Sequence, residues 1–583
     1  AVIALAVFRI AQPYAWAGPN YDGWNRVPDP WGERLAVFQQ IPEPVRAVLM
    51  PNPQWIADIV SAGAQQTGEA DMPWGRQWTE RAAWLWPLEN MVLWSLGVPL
   101  GLAAWLGVAL VAVQVIRGWR RRQLAAPEPP GSPLPNRDLL LIPLAWVLLS
   151  FGWQGMQYVK SVRYFLPLHP YLAMFAAFLV VAAWDWARQR RWLAKAGAGG
   201  LAAVVLLGTL AWAFAFIQIY TEPVTRVQAT RWIYENVESG ATLRYQGSEG
   251  EPGQLQIPLP STQIYGANGQ WQTTPFTPAK DLVTDEIVMN HLTSVDEPRE
   301  GAFEVQIADF GGGVLASGMV EDVFGGQGGE RHTIDLPEAS LVGGQTYLFQ
   351  ARAVRGAPLI SQGSVIANEH FDDPLPFNMF GYLAFGSGMY RSLDVSYPES
   401  DNHIDQLPLY DEDTPGKLGV LLDALDQADY IIMSSGRLWQ SIPRLPMRYP
   451  MTTRYYDLLF AGELGFEKAA EFHSYPRLFG IEFDDTWAEE QFTVYDHPKV
   501  LIYRKTGEYD RDRVRALLSE GIDWDSIPHW LNPRDVPEWR REQAVEQGIQ
   551  DRQNELMLSD QEWDLQRQGG TWASIFDRSS LVN

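Results

Sequence analysis

Ser161-Val-Arg-Tyr-Phe-Leu-Pro-Leu-His-Pro-Tyr-Leu172 is a short turn bearing a cation, with Lys160 immediately before it, held between two long apolar runs. Upstream, Asp138 to Tyr158 is one run; downstream, Phe165 to Ala187 is another. At about 1.5 Å of rise per residue, each is long enough to cross the roughly 30 Å of bilayer hydrocarbon as a helix. Lys160 and Arg163 are thereby predicted at one membrane face. A cation at that depth either anchors the helices by reaching lipid headgroups or clamps a phosphate group, and the residues alone leave both readings open.

Working outward, four complete hydrophobic spans are expected at about 90–116, 138–158, 165–187 and 197–219. Arg117, Arg120, Arg121 and Arg122 follow the first; Arg188, Arg190, Arg191 and Lys195 follow the third. Basic connections mark the cytoplasmic side, so both of these loops are assigned there. The Lys160/Arg163 turn, a loop over 11–88 and everything after Tyr220 then lie on the outer face, with the plasma membrane as the expected location.

Charge divides the chain the same way. Residues 89–219 carry 11 Lys/Arg against 4 Asp/Glu, whereas residues 220–583 carry 28 against 57. An outer part this acidic argues against nucleic acid as a partner and against lying flat on an anionic membrane. The mean hydropathy of −0.16 averages over that split. With no cysteine there are no disulfides, zinc-thiolate sites or thiol nucleophiles.

The expected architecture is multi-domain: an α-helical transmembrane bundle followed by an outer-face α/β domain with an inserted β-sandwich. Residues 1–10 read as the end of a transmembrane helix whose start lies upstream, and 11–88 as an outer loop, rich in Trp, acting as a solvated cap or as a lid. Residues 89–219 hold the four spans. Residues 220–252 and 365–510 make the α/β domain, where Thr225–Val237 has helical apolar spacing and 241–245 is its first strand. Over 253–364 the period changes to two, with Phe303, Val305, Ile307 and Tyr347, Phe349, Ala351 alternating between Gly-rich turns, as in a β-sandwich. Residues 511–583 are expected to form a charged helical tail.

Chemistry is sparse. There is no phosphate-cradling Gly-rich loop, no Gly-x-Ser-x-Gly elbow and no His-Glu-x-x-His. Glu369-His370 with Asp372 and Asp373 is the one group whose residue types suit a divalent cation, with Asp411-Glu412-Asp413 a second acidic cluster. Neither has regular ligand spacing, so both are also read as turn and cap residues, and no metal or other cofactor is assigned.

Arg163-Tyr-Phe-Leu-Pro-Leu-His-Pro-Tyr171 on an outer loop between membrane helices, a last span followed by Thr225-Arg-Val-Gln-Ala-Thr-Arg-Trp-Ile-Tyr-Glu-Asn, and an outer α/β domain together resemble the C-type membrane glycosyltransferases. The branch is that of the protein O-mannosyltransferases and aminoarabinose transferases (glycosyltransferase family 39). The resemblance covers about 1–250 and 365–505 and has no counterpart for the sandwich. It implies transfer of a sugar from a lipid-linked polyprenyl-phosphate donor to a polysaccharide, lipid or protein acceptor, beside membrane lipid. It also implies that Arg163 binds the carrier phosphate with Lys160 and Tyr164 beside it, Arg76 and Arg81 being weaker candidates. The essential acidic residue of the family lies in the first outer loop, which is expected upstream of residue 1, so no catalytic residue is assigned. The alternative is a non-catalytic, membrane-anchored ectodomain that binds polysaccharide or protein.

Overall fold

The computed structural model describes residues 2–16, 42, 52–123, 140–247, 250–295, 297–325, 328–369, 375, 388–396 and 403–546. Two compact units result, 1–530 and 531–583. The first opens with helices α1 (Val2–Ala11), α2 (Pro53–Thr67) and α3 (Leu85–Asn90). Four apolar helices follow: α4 (Val98–Gln123), α5 (Leu141–Met156), α6 (His169–Ala187) and α7 (Trp192–Ile217).

Three segments are long and apolar enough to cross a membrane: Val98–Arg120, Val162–Ala187 and the run from Trp192 to Asn236. The span expected at 138–158 is a correction. Among the described residues it forms a helix of 16 residues, Leu141–Met156, which rises only about 24 Å. It ends where Gln157 turns to an extended conformation. The first span is also interrupted. A π-helical turn at Met91–Ser95 leads to Gly97, whose φ of +76° breaks the helix before α4 starts.

The bundle interior is built of small and branched residues, among them Ala103, Ala104, Val108, Val147, Leu172, Phe175 and Val205. At Gly107 a Cβ would sit 2.1 Å from the Phe175 carbonyl oxygen, so α4 and α6 approach backbone to backbone only because that residue is glycine. The opposite faces are unpartnered. Leu206, Leu207 and Leu210 of α7 are more than half exposed, which is a far larger apolar surface than a water-soluble helix carries.

Helix α8 (Thr225–Asn236) leads into a two-sheet sandwich of β1 (Ala241–Gly247), β2 (Pro252–Gln256), β3 (Thr262–Tyr265), β4 (Gln272–Phe276), β5 (Leu282–Ser294), β6 (Arg299–Asp309), β7 (Val314–Phe324), β8 (Glu330–Leu341), β9 (Tyr347–Arg355) and β10 (Leu359–Gln362). One sheet runs β2-β1-β5-β10-β3 with β8 also on β5; the other runs β4-β9-β6-β7. Phe303, Val305 and Ile307 face Phe349 and Ala351 of the neighbouring strand in the buried core, as their alternation predicts. Strand 241–247, expected in the α/β layer, belongs here instead. It pairs antiparallel with both β2 and β5 and buries Ala241 and Leu243 in the sandwich core, so the insertion begins at 241 rather than 253.

The α/β layer holds β11 (Val365–Asn368), β12 (Arg391–Ser392), β15 (Tyr430–Met433), β16 (Phe466–Phe472) and β19 (Val500–Lys505), in the order β12-β11-β15-β19-β16. Two small hairpins lie outside it, β13 (Val395–Ser396) with β14 (His403–Ile404), and β17 (Arg477–Leu478) with β18 (Ile481–Glu482). The first three strands of the layer are parallel, and β19 runs antiparallel to both its neighbours, β15 and β16. Helix α9 (Pro415–Gln427) makes the crossover into β15 and buries Leu418, Leu421, Leu422 and Leu425, the face its sequence sets out. Then come α10 (Pro450–Ala461), the single turn α11 (Glu490–Thr493) and α12 (Arg511–Ser519). The last of these, expected in the tail, is tied to α9 by Arg511 through Asp423 and Asp426. In the second unit the described residues form a short turn and α13 (Val536–Glu546).

One buried ion pair fixes the start of α9. Thr414 caps the helix, and the Lys417 ammonium, fully buried, donates to Asp413 at 2.9 Å, to Thr452 Oγ1 and to the Leu409 and Asp411 carbonyls. Removing one member strands the other charge away from water, at a cost of about 3–5 kcal/mol. Lys417→Met is therefore expected to lower the unfolding free energy of the detergent-solubilised protein, read from denaturant titration, by that amount. A variant as stable as the parent would contradict the pairing.

Candidate functional site at the helix–domain junction

The turn between α5 and α6 is a 3-10 helix, Val162–Leu168, and its first N–H groups have no partner within the helix. The α/β layer supplies one. Val162 N–H donates to Glu489 Oε2 at 3.4 Å, the Glu489 N–H donates to Asn90 Oδ1 at 2.8 Å, and Ser161 Oγ donates to Gln491 Oε1 at 2.5 Å. The segment before α11 is thus seated on the loop that the sequence singled out. The adjoining Glu490 is held elsewhere, by Arg437 Nε at 2.6 Å and by Gln77.

Glu489 is the residue sequence reasoning missed. Its side chain is buried, and its Oε1 has no hydrogen-bond partner among the described residues. Burial first, then the charge of Glu490, push its carboxyl up to about 8, against the opposing pull of the Val162 and Gln491 N–H groups and Arg163. At neutral pH it is therefore a neutral acid. A cavity of about 10 Å³, close to the room one water needs, lies against it, lined by Gln77, Arg81, Trp86 and Arg437 among others. The only trace in the sequence is an acidic doublet between aromatic residues, Trp487-Ala-Glu-Glu-Gln-Phe492.

The predicted phosphate residues divide. Arg163 is exposed; its Nη2 donates to the Tyr164 hydroxyl at 3.3 Å and its guanidinium lies 5.1 Å from that ring. Among the described residues no carboxylate stands within ion-pairing distance of it. Lys160 is buried, its ammonium donating to the Tyr158 carbonyl at 3.2 Å, and desolvation pulls it down to about 8. Arg81 stacks on Trp86 at 3.8 Å and is lowered to about 10 by burial and then by Arg444.

Arg76 is committed elsewhere. It is buried, donates to the Tyr410 carbonyl at 3.0 Å and lies 4.8 Å from the Tyr449 ring. It ties segment 52–90 to the α/β layer. The same loop closes over the turn: Val159 N–H donates to the Gln66 carbonyl at 3.2 Å, Gln66 Nε2 returns the bond at 3.0 Å, and the Tyr158 hydroxyl reaches the Gly75 carbonyl at 2.9 Å. The part of the loop over 17–41 and 43–51 lies outside the described residues.

Next to the turn is an apolar groove of about 540 Å³. Trp94, Val98 and Pro99 form one wall, Gly208, Ala211 and Trp212 of α7 the other, with Leu478 and Phe483 of the outer layer closing the end. Trp94 belongs to the π-helical turn, whose Ser95 Oγ lies 3.3 Å from His169 Nε2 at the start of α6.

Among the described residues no group of three or more His, Asp or Glu is arranged to hold a metal. Two members of Asp411-Glu412-Asp413 are spent on pairing, Glu412 with Arg448 at 2.5 Å and Asp413 with Lys417. Of the other cluster, Glu369 is buried with Tyr456 near it at 3.5 Å, while His370, Asp372 and Asp373 lie outside the described residues. Compared with known proteins, the chain matches no protein-family model and no curated protein.

A carboxyl raised in the folded state binds a proton that the unfolded state releases, so Glu489 lowers stability progressively as pH climbs from its ordinary value near 4.5 toward 8. Below the unfolded value the penalty is absent. Glu489→Gln keeps an acceptor for Val162 and removes the penalty. Thermal unfolding of the detergent-solubilised protein between pH 5 and 9 is expected to show the variant gaining on the parent as pH rises, by a few kcal/mol at the alkaline end. Parallel pH profiles would mean that Glu489 is ionised in the folded protein.

Proposed function

We propose that this chain is the carrier-handling part of a membrane glycosyltransferase, which moves a sugar from a polyprenyl-phosphate donor to a polysaccharide, lipid or protein acceptor on the outer face of the plasma membrane. The observation that carries the reading is the state of Arg163. It is an exposed guanidinium with no carboxylate within ion-pairing distance among the described residues, at the end of an apolar helix long enough to span a bilayer, and the buried acid nearest in the seam is neutral. Its Nη2 bonds the Tyr164 hydroxyl, which leaves the charge itself unneutralised. The Arg-Tyr-Phe-Leu-Pro resemblance supports the same assignment.

In such a transfer the bond from the sugar's anomeric carbon to the phosphate oxygen breaks, and its electron pair leaves with the phosphate. A guanidinium stabilises the charge developing there, with Lys160 adding a cation below it. The acceptor oxygen forms the new bond, and its proton passes to a carboxylate base. The adjoining 540 Å³ groove, lined by Trp94, Pro99 and Trp212, is of a chemistry to take the first isoprene units of the carrier. Arg117, Arg120, Arg188 and Arg190 at the opposite helix ends orient the bundle with this turn outward.

One observation favours the non-catalytic reading. A cleft of about 1120 Å³ lies between α8 and the sandwich and presents Tyr234, Tyr245, Arg244 and Lys280, a surface suited to a polysaccharide. The two readings separate on one variant. With a short-chain polyprenyl-phosphate sugar in proteoliposomes, Arg163→Ala is expected to cut transfer about 100-fold or more while leaving insertion intact. Full transfer by the variant would remove the phosphate-binding role, and an intact protein that binds polysaccharide but transfers nothing would favour the anchor.

A further inference from the structure

β17 and β18 form a tight hairpin beside the α/β layer, Arg477-Leu-Phe-Gly-Ile-Glu482. Arg477 pairs with Glu482 and Leu478 with Ile481, which leaves Phe479 and Gly480 as a two-residue turn, both at positive φ, +51° and +82°. That geometry is met by Asn, Asp or Gly at the first position; a bulky aromatic there is strained. Among the described residues no packing offsets the strain, since the Phe479 side chain is 96% exposed and Ile481 beside it is 64% exposed.

The location supplies the missing partner. The hairpin base packs on the last turns of α7: Leu478 and Phe483 line one groove with Gly208, Ala211, Trp212 and Ala215, and the Phe483 ring lies 5.8 Å from Trp212. Gly208 is nine residues before the helix end at Ile217, so the contact reaches about 13 Å down the apolar rod. Arg477 is meanwhile tied to Glu222, just beyond that end. The tip is apolar, its flanks are charged, and its base is sunk alongside an exposed apolar helix face. That is the build of a loop seated in the headgroup and upper acyl layer, where aromatic side chains are favoured.

We infer that the Phe479–Ile481 hairpin tip is a lipid-inserting finger, by which the outer domain grips the membrane surface beside α7. It rests on the membrane reading of the helices. The finger fixes the height of the α/β layer above the bilayer, and with it the position of the Glu489 seam over the Arg163 turn.

The absence of native cysteine makes the test direct. Single cysteines at Phe479, Ile481, Leu207 and Phe310 are spin-labelled in the full chain, reconstituted in phosphatidylethanolamine/phosphatidylglycerol vesicles, and relaxation by oxygen is compared with relaxation by a water-soluble nickel chelate. Phe310, on the sandwich, is the aqueous reference and Leu207, on α7, the hydrocarbon reference. Labels at 479 and 481 are expected to relax faster with oxygen than with nickel, as at 207 and opposite to 310. Phe479→Asn, which suits the turn, is expected to shift the 481 label toward water without loss of fold. Labels at 479 and 481 that behave like 310, or that neither reagent reaches, as in a protein–protein seam, overturn the finger while 207 stays in hydrocarbon. An aqueous signal at 207 as well would overturn the membrane reading on which it rests.

Discussion

A helix begins with N–H groups that nothing within it can satisfy, and the 3-10 turn at Val162 meets that need with a carboxyl from a segment more than three hundred residues away. An ionised carboxylate would serve as acceptor too, but it would be buried without a cation bonded to it. Protonated, Glu489 accepts from Val162 and avoids that cost. The seam between the helices and the α/β layer is thus made largely of neutral groups, Asn90, Ser161, Glu489 and Gln491, with Arg163 exposed at its rim.

Charged groups do the work one layer further out. Arg448 bridges Asp71 of the outer loop, at 2.6 Å, and Glu412 of the α/β layer, at 2.5 Å. Arg76 and Arg444 add bonds to the Tyr410 and Thr79 carbonyls. Segment 52–90 is accordingly part of the outer layer's base rather than a detachable cap. The sandwich is fastened to the same layer by His291, whose Nε2 faces Asp429 at 2.7 Å from a backbone held at a φ of +43°. A chain of polar locks therefore runs from the sandwich to the turn below Glu489.

Composition carried the coarse plan. Uninterrupted apolar runs announce helices whatever their partners, and the period-two alternation of Phe303-Val305-Ile307 is readable because one sheet face is dry. What failed depended on distance along the chain. Ala241–Gly247 has the same local pattern in either domain, and only its pairing with Leu282–Met289 assigns it to the sandwich. Arg76 and Arg163 are the same residue type in the same kind of loop, yet one is consumed by Tyr410 and Tyr449 and the other is open. Glu489 was invisible because an acidic doublet reads as surface until the segment that buries it is known. The shortness of Leu141–Met156 was likewise hidden, since hydropathy does not register where a helix gives way to an extended turn.

Sidedness is where the account is most exposed. Single cysteines at Tyr164, in the turn, at Val342, in the sandwich, and at Arg190, beyond α6, can be treated with a membrane-impermeant maleimide on intact cells and again after permeabilisation. All three side chains are exposed. The account predicts that 164 and 342 react from outside and 190 only once the membrane is opened. Labelling of 164 and 342 from opposite sides would contradict it, because the turn and the outer layer resting on it would then not share a compartment.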